Sequence, residues 1–85
     1  MPEGARRRGR ELALALLYQA DLGAFGAGKA VGRVGETLQV LAEQWQMSTA
    51  ELTRLGPEIE QFAVRLLEAY FARAAAIDEK LQRLA

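Results

Sequence analysis

The sequence predicts an all-α protein, and three observations support that fold class. The chain has 85 residues, a length that suits one small domain. Sixteen alanines and thirteen leucines, both strong helix formers, stand against only four valines and two isoleucines, which favour strands. Apolar residues also recur at the three- and four-residue spacing of an amphipathic helix. We therefore expect a small bundle of helices.

The first helix is predicted over residues 5–22, with Gly23 as the glycine that ends it. At 100° per residue, Leu12, Leu16 and two alanines share one side and form the candidate core face. A stripe about 80° wide on the opposite side contains two arginines, a leucine and a tyrosine, namely Arg7, Arg10, Leu14 and Tyr18.

The second helix is predicted over residues 35–47, where four apolar residues fit the i, i+3, i+4, i+7 template, namely Leu38, Leu41, Ala42 and Trp45. The segment 23–35 holds five of the eight glycines and is predicted to be a loop. After the second helix, Ser48 and Glu51 have the spacing of a capping box. We expect a short helical turn there that ends at Gly56.

The third helix is predicted from Pro57, a good first helical residue, to Leu84. A continuous helix of that length is about 42 Å long, and two lines of apolar residues run along it. The two shorter helices cannot cover both lines. We therefore expect another copy of the chain, or further protein, to pack on six residues of the C-terminal half: Leu67, Tyr70, Phe71, Ile77, Leu81 and Leu84.

Composition excludes most catalytic chemistry. The chain contains no cysteine and no histidine, which removes thiolate nucleophiles, histidine-based triads and the usual zinc ligands. The run from Gly23 to Lys29 has phosphate-loop spacing, but Ala30 follows where serine or threonine must reach magnesium. Glu58 and Glu60 point in different directions on a helix. We therefore expect no enzyme, no cofactor and no metal, and, without a membrane or targeting segment, a cytoplasmic protein.

Charge is unevenly spread although eleven basic and eleven acidic residues cancel. Four arginines open the first helix, where the helix dipole disfavours cations: Arg6, Arg7, Arg8 and Arg10. Arginine forms bidentate contacts with phosphate, and Tyr18 follows on the same face, where it could stack on an RNA base. An equally weighted alternative is a solvated basic terminus with Tyr18 half-buried. The remaining aromatic residues, including Trp45 and Phe62, fall on apolar stripes and are expected in the core or an interface.

The arginine-rich run resembles a known family. Arg6-Arg-Arg-Gly-Arg10-Glu-Leu-Ala-Leu-Ala-Leu-Leu-Tyr18 is similar to the opening helix of the NusB family of transcription antitermination factors, which starts R-x-x-A-R-E-x-A-x-x-x-L-Y. The run from Phe62 to Phe71, followed by Ile77-Asp78, is similar to the third helix of that family. Together these runs cover most of the chain apart from the glycine-rich segment.

The resemblance implies a helical RNA-binding protein that acts in transcription antitermination and termination control. Such proteins pair with NusE, a small ribosomal-subunit protein, hold boxA RNA and join the RNA polymerase antitermination complex. Carried over by motif position, the RNA-binding residues are Arg6, Arg7, Arg8, Arg10 and Tyr18. Two other readings remain open: a helical domain for protein interaction or oligomerisation, and the accessory RNA-binding domain of a ribosomal RNA cytosine methyltransferase.

The sequence departs from the family at three points. Gly9 stands where alanine is usual, and Ala69 stands where glycine is usual. Family members also continue into a second helical bundle. We therefore expect residues 1–85 to be one NusB-like N-terminal subdomain of a longer domain, which would explain the surplus apolar surface of the third helix and would favour a homo-oligomer.

Overall fold

The computed structural model describes residues 3–23 and 27–84, and these form four α-helices and no strand. The helices are α1 (Glu3–Asp21), α2 (Ala27–Gly32), α3 (Val34–Gln44) and α4 (Thr49–Leu84). The predicted all-α class is confirmed for these residues. The molecule is elongated, measuring 52 × 27 × 16 Å, because α4 alone contains 36 residues.

The core lies where α1 and α3 pack against the first half of α4. Its largest fully buried side chains come from these three helices: Leu12, Leu16, Leu38, Ile59 and Leu67. Leu12 and Leu16 lie on the face of α1 that the apolar spacing predicts. Their burial turns the opposite face of α1, which carries Tyr18, towards solvent.

Gly23 ends α1 as predicted. Its φ of 80° is the left-handed conformation that glycine adopts without a side-chain clash. The Gly23 backbone N–H donates to the Ala20 carbonyl at 3.0 Å and closes the last turn. The helix starts at Glu3, two residues before the predicted residue 5, a difference within the usual fraying of helix ends.

The prediction of a loop over residues 23–35 is wrong in part, because Ala27–Gly32 form the short helix α2. Ala30 is fully buried and Val31 packs against the core. Tertiary burial of these two side chains therefore outweighs the poor helix propensity of the glycines around them. Residues 24–26, which belong to the phosphate-loop-like run, lie outside the described residues.

The end of α3 is a Schellman turn built without glycine. The Met47 N–H donates to the Ala42 carbonyl at 3.0 Å, and the Gln46 N–H donates to the Glu43 carbonyl at 3.1 Å. Gln46 takes the left-handed position with a φ of 59°. The helix consequently stops at Gln44 rather than at the predicted residue 47, and Trp45 becomes its C-cap residue.

Replacing Gln46 with glycine is expected to stabilise the protein by about 0.5–1 kcal/mol. The variant relieves the clash of a Cβ in the left-handed region and loses part of that gain to the greater freedom of glycine in the unfolded chain. Urea denaturation followed by circular dichroism measures the change. Gln44→Gly, two residues earlier within α3, is the matched control and should destabilise by a similar amount. Equal midpoints for the two variants would contradict the prediction.

The predicted cap at the start of α4 is confirmed in part, since Ser48 and Glu51 bond to each other but the Glu51 side chain reaches the Ser48 hydroxyl and not its backbone N–H. The Glu51 N–H donates to Ser48 Oγ at 3.1 Å, and that hydroxyl donates to Glu51 Oε1 at 3.3 Å. The prediction that Pro57 starts a separate helix is wrong, since α4 runs continuously from Thr49 through Pro57. Because proline has no backbone N–H, Pro57 cannot make the helical hydrogen bond to the Thr53 carbonyl. Packing of Leu52 and Leu55 before the Gly56-Pro57 pair, and burial of Ile59 after it, offset that loss.

The last part of α4 extends beyond the bundle, and every residue from 75 to 84 is exposed. Of the six predicted interface residues, four are exposed: Tyr70, Ile77, Leu81 and Leu84. Phe71 is half-buried against the core. Leu67 is fully buried within the same chain, so it belongs to the core and not to an exposed interface. None of the helices formed by residues 3–23 and 27–84 is long and apolar enough to cross a membrane.

Candidate nucleic-acid interface

The four arginines of α1 do not share one face. At 100° per residue, Arg6, Arg7 and Arg10 fall within a sector of about 100°, and all three are exposed. Arg8 lies about 100° beyond Arg7 and is half-buried. The arginine cluster therefore presents positive charge to two sides of the first turns of α1.

Arg7 forms an ion pair with Glu11, which lies one turn further along the same face of α1. Arg7 Nε lies 3.5 Å from Glu11 Oε1, with side chains 77% and 43% exposed. An exposed pair at this spacing contributes about 0.3–0.5 kcal/mol or less to stability. Water screens it, so a more strongly bound anion can displace Glu11 from Arg7.

Arg8 contacts a ring instead of a carboxylate. Its guanidinium carbon lies 5.0 Å from the centre of the Trp45 ring, within the range of a cation–π interaction. Trp45 follows α3 and packs against the core with its ring half-buried. The contact joins residues 37 positions apart in sequence, because α3 packs against α1 and brings its C-cap residue Trp45 beside Arg8.

A cleft of about 250 Å³ lies between these groups. Its lining comprises the first turns of α1 and the tryptophan, namely Gly4, Arg7, Arg8, Glu11 and Trp45. Two guanidinium groups and one carboxylate give the lining a formal charge of +1. We call this concavity the arginine–tryptophan cleft.

Tyr18 lies on a different part of the surface. It is 67% exposed and lines a shallow groove with Leu14, Asp21 and Tyr70. Along α1, it stands 11 residues from Arg7, or about 16 Å at 1.5 Å per residue. The structure thus joins Arg7 and Arg8 in one cleft and leaves Tyr18 as a separate exposed ring three turns away.

Arg10 lines a second, larger groove of about 590 Å³ between α1 and α4. Apolar side chains, among them Leu14, Leu17 and Leu66, form most of its lining, and Arg73 of α4 is the other cation there. Arg10 already makes an interaction within the chain. This groove adjoins the one beside Tyr18, because Leu14, Leu17 and Tyr70 belong to both.

Gly9 sets how closely the arginine-bearing helix approaches α4. A Cβ at this buried position would lie 2.7 Å from Phe62 Cδ1 and 3.3 Å from the Ile59 carbonyl oxygen. Real Cβ atoms do not approach that closely, so the present spacing requires glycine. Gly9 lies between Arg8 and Arg10 in sequence. Its close contact with α4 therefore fixes the distance from α4 at which both arginine side chains begin.

The chain matches no family model, no curated protein and no solved structure. The resemblance to the NusB family therefore rests on the two sequence runs alone. Among the described residues, no group of carboxylates could hold a metal ion. Glu79 accepts a hydrogen bond from Arg83 at 2.7 Å.

Sequence reasoning missed Trp45 as a neighbour of the arginines. The residue fits the apolar stripe of α3, and that pattern predicts core or interface packing. The ring does pack on the core, as this pattern predicts, and it also faces Arg8. Nothing in the local sequence pairs these two residues, because their contact depends on the packing of α3 against α1.

Proposed function

We propose that this protein is a non-catalytic RNA-binding module that recognises single-stranded, boxA-like RNA. The observation that carries the proposal is the cluster of four arginines at the start of α1, two of which line the arginine–tryptophan cleft. Because α1 begins at Glu3, only Arg6 of the four lies in the first turn, where the positive N-terminus of a helix disfavours a cation. A sequence that breaks a stability rule in this way often does so for function.

The chemistry of the cluster suits RNA better than a small metabolite. Guanidinium groups on two sides of a helix can each contact a separate phosphate along a strand, and the phosphate contacts dominate affinity. Single-stranded RNA also exposes base faces that stack on aromatic rings. Tyr18, exposed three turns further along α1, provides such a ring at a distance that several nucleotides can span.

The biological setting follows from the resemblance. We propose that the module acts in transcription antitermination and termination control, together with NusE and RNA polymerase. The proposal assigns RNA binding to Arg6, Arg7, Arg8, Arg10 and Tyr18 and assigns catalysis to none of the residues.

Salt dependence tests the proposal. Four arginine–phosphate contacts, at about 0.7 per contact on a single strand, predict a log–log slope of affinity against salt near about −3. Between 50 and 200 mM salt, affinity for a boxA-like oligoribonucleotide should fall roughly fifty-fold. Arg7→Ala with Arg10→Ala should reduce the slope by about 1.4. Fluorescence anisotropy of the labelled RNA measures both quantities.

The matched control removes the same charge from elsewhere. Arg54→Ala with Arg65→Ala takes two exposed arginines from α4 and should leave the slope unchanged. Binding that ignores salt, or an Arg7/Arg10 variant that binds as well as the control, would count against the proposal. A scrambled RNA that competes as well as boxA would remove the sequence preference and leave general RNA binding.

The second candidate function is association between copies of the chain. The exposed apolar stripe on the last turns of α4 favours it: Tyr70, Ile77, Leu81 and Leu84, with Ala74 between them. Their spacing alternates four and three residues, the pattern of a seam between two paired helices. Neighbouring apolar residues on one face of an exposed helix often mark an interaction surface.

A further inference from the structure

We infer that Trp45 positions Arg8 as the principal phosphate-binding arginine, and that the arginine–tryptophan cleft takes one phosphate group. This inference rests on the proposed RNA-binding function. It adds Trp45, which lies outside the arginine-rich run of residues 6–18. Trp45 is a positioning residue here, since it acts on the RNA through Arg8.

Arg7 and Arg8 have different partners within the protein. Glu11 lies against Arg7 and offsets its positive charge. Trp45 restrains Arg8 by the attraction of its ring for a cation, and the ring carries no net charge and no acceptor oxygen. Arg8 is therefore held in place with its full charge still available to an anion.

Restraint matters because binding orders long side chains at a cost in entropy. An arginine already fixed in the free protein loses less freedom when it binds phosphate than one that moves in solvent. Trp45 can provide that restraint, because its own backbone is fixed. Its N–H donates to the Leu41 carbonyl at 2.8 Å, and the ring packs on the core.

The cleft also has the right charge for one phosphodiester. Arg7 and Arg8 supply two positive charges and Glu11 one negative charge, so the lining carries a formal charge of +1. A phosphodiester carries a single negative charge. Since the Glu11 carboxylate opposes the bound anion, Glu11→Gln should tighten binding two- to five-fold.

Fluorescence can test this site directly, because Trp45 is the single tryptophan of the chain. The whole protein is titrated with single-stranded boxA-like RNA and, separately, with pyrophosphate, while tryptophan emission is followed. We expect both ligands to change the emission. Arg8→Ala should weaken RNA binding about ten-fold, and Arg6→Ala, which removes an arginine of the same cluster outside the cleft lining, no more than three-fold. Arg54→Ala, the matched control on α4, should leave RNA binding unchanged.

A second set of variants separates positioning from simple folding. Trp45→Leu keeps an apolar side chain and loses the ring, whereas Trp45→Phe keeps a ring. We expect Trp45→Leu to weaken labelled RNA about ten-fold and to lower the salt slope by about 0.7, one phosphate contact, although no charge is removed. Trp45→Phe should bind within three-fold of the wild type. If Trp45→Leu does not fold, the comparison of Arg8→Ala with Arg6→Ala decides.

The outcomes distinguish the inference from the function on which it rests. RNA that binds with unchanged emission, together with Arg8→Ala no weaker than Arg6→Ala, would overturn the inference and leave the proposed function intact. Pyrophosphate that changes the emission in the wild type and not in Arg8→Ala, without any RNA binding, would support the phosphate site and reject the RNA. If neither ligand changes the emission and RNA does not bind, both are rejected.

Discussion

Replacing Gly9 with leucine should unfold the domain at 25 °C. Even the first atom of the new side chain would lie 2.7 Å from Phe62 Cδ1 and 3.1 Å from Phe62 Cβ. The three further carbons of leucine have no space, because Gly9 is buried where α1 meets α4. Overpacking by a single methylene costs about 1–3 kcal/mol, and a domain of this size has only a few kcal/mol of total stability.

Gly9→Ala gives a graded form of the same test. Helix propensity alone predicts stabilisation by about 1 kcal/mol, and the NusB-like pattern has alanine here. The structure predicts the opposite sign, a net loss of about 1–2 kcal/mol, since the clash includes the Ile59 carbonyl oxygen and cannot be relieved by one rotamer. Urea denaturation measures the difference.

Gly4 provides the control for both substitutions. It lies in the same helix, and a Cβ there would meet nothing within 4 Å. Gly4→Ala and Gly4→Leu should therefore be neutral or stabilising. A Gly9→Ala protein that is more stable than the wild type would show that α1 and α4 separate easily. The Gly9 contact would then not fix the distance of Arg8 and Arg10 from α4.

Helix ends were predictable wherever a single residue type determines them. Gly23 is the best example, because only glycine adopts a φ of 80° without strain. Ser48 and Glu51 are another, since their hydrogen bonds depend on side chains three residues apart. In each case the information lies within one turn of the chain, so sequence reasoning can reach it.

Local signals failed where tertiary packing opposed them. Gly56 and Pro57 together are typical of a helix boundary, yet α4 continues through both. Gly56 is buried, and a Cβ there would lie at ordinary contact distance from Leu52, 3.5 Å, and from Leu38 of α3, 3.8 Å. Such packing depends on α3, 18 residues earlier, and no window around Pro57 contains it.

For the candidate site, the individual residues were predictable from the sequence. The arginines and Tyr18 follow from their spacing on α1, and the structure places all but Arg8 among the exposed residues. Their grouping was not predictable. The sequence places Tyr18 near Arg7 on one face, whereas the structure joins Arg7 to Arg8 through the cleft beside Trp45. The difference arises from the packing of α3 against α1, which brings Trp45 beside Arg8.

Lysine in place of both Ile77 and Leu81 should abolish association between copies of the chain. These residues lie four apart on the exposed part of α4, and Leu81 is 59% exposed in the single chain. In a pair of copies related by a twofold axis, each substitution acts twice. Burial of such side chains contributes about 1.5–3 kcal/mol each. Two lysines should therefore raise the dissociation constant more than a hundred-fold.

Sedimentation equilibrium tests this prediction at chain concentrations up to about 100 µM, a range suited to a small interface. The wild type should show a concentration-dependent rise in mass, and the Ile77/Leu81 variant should remain monomeric with unchanged helicity. Val40→Lys is the control, because Val40 is similarly exposed but lies on α3, away from the stripe. A wild-type chain that stays monomeric across the range would reject self-association. Because residues 75–84 extend past the other helices, the stripe would then be free for a partner of a different kind.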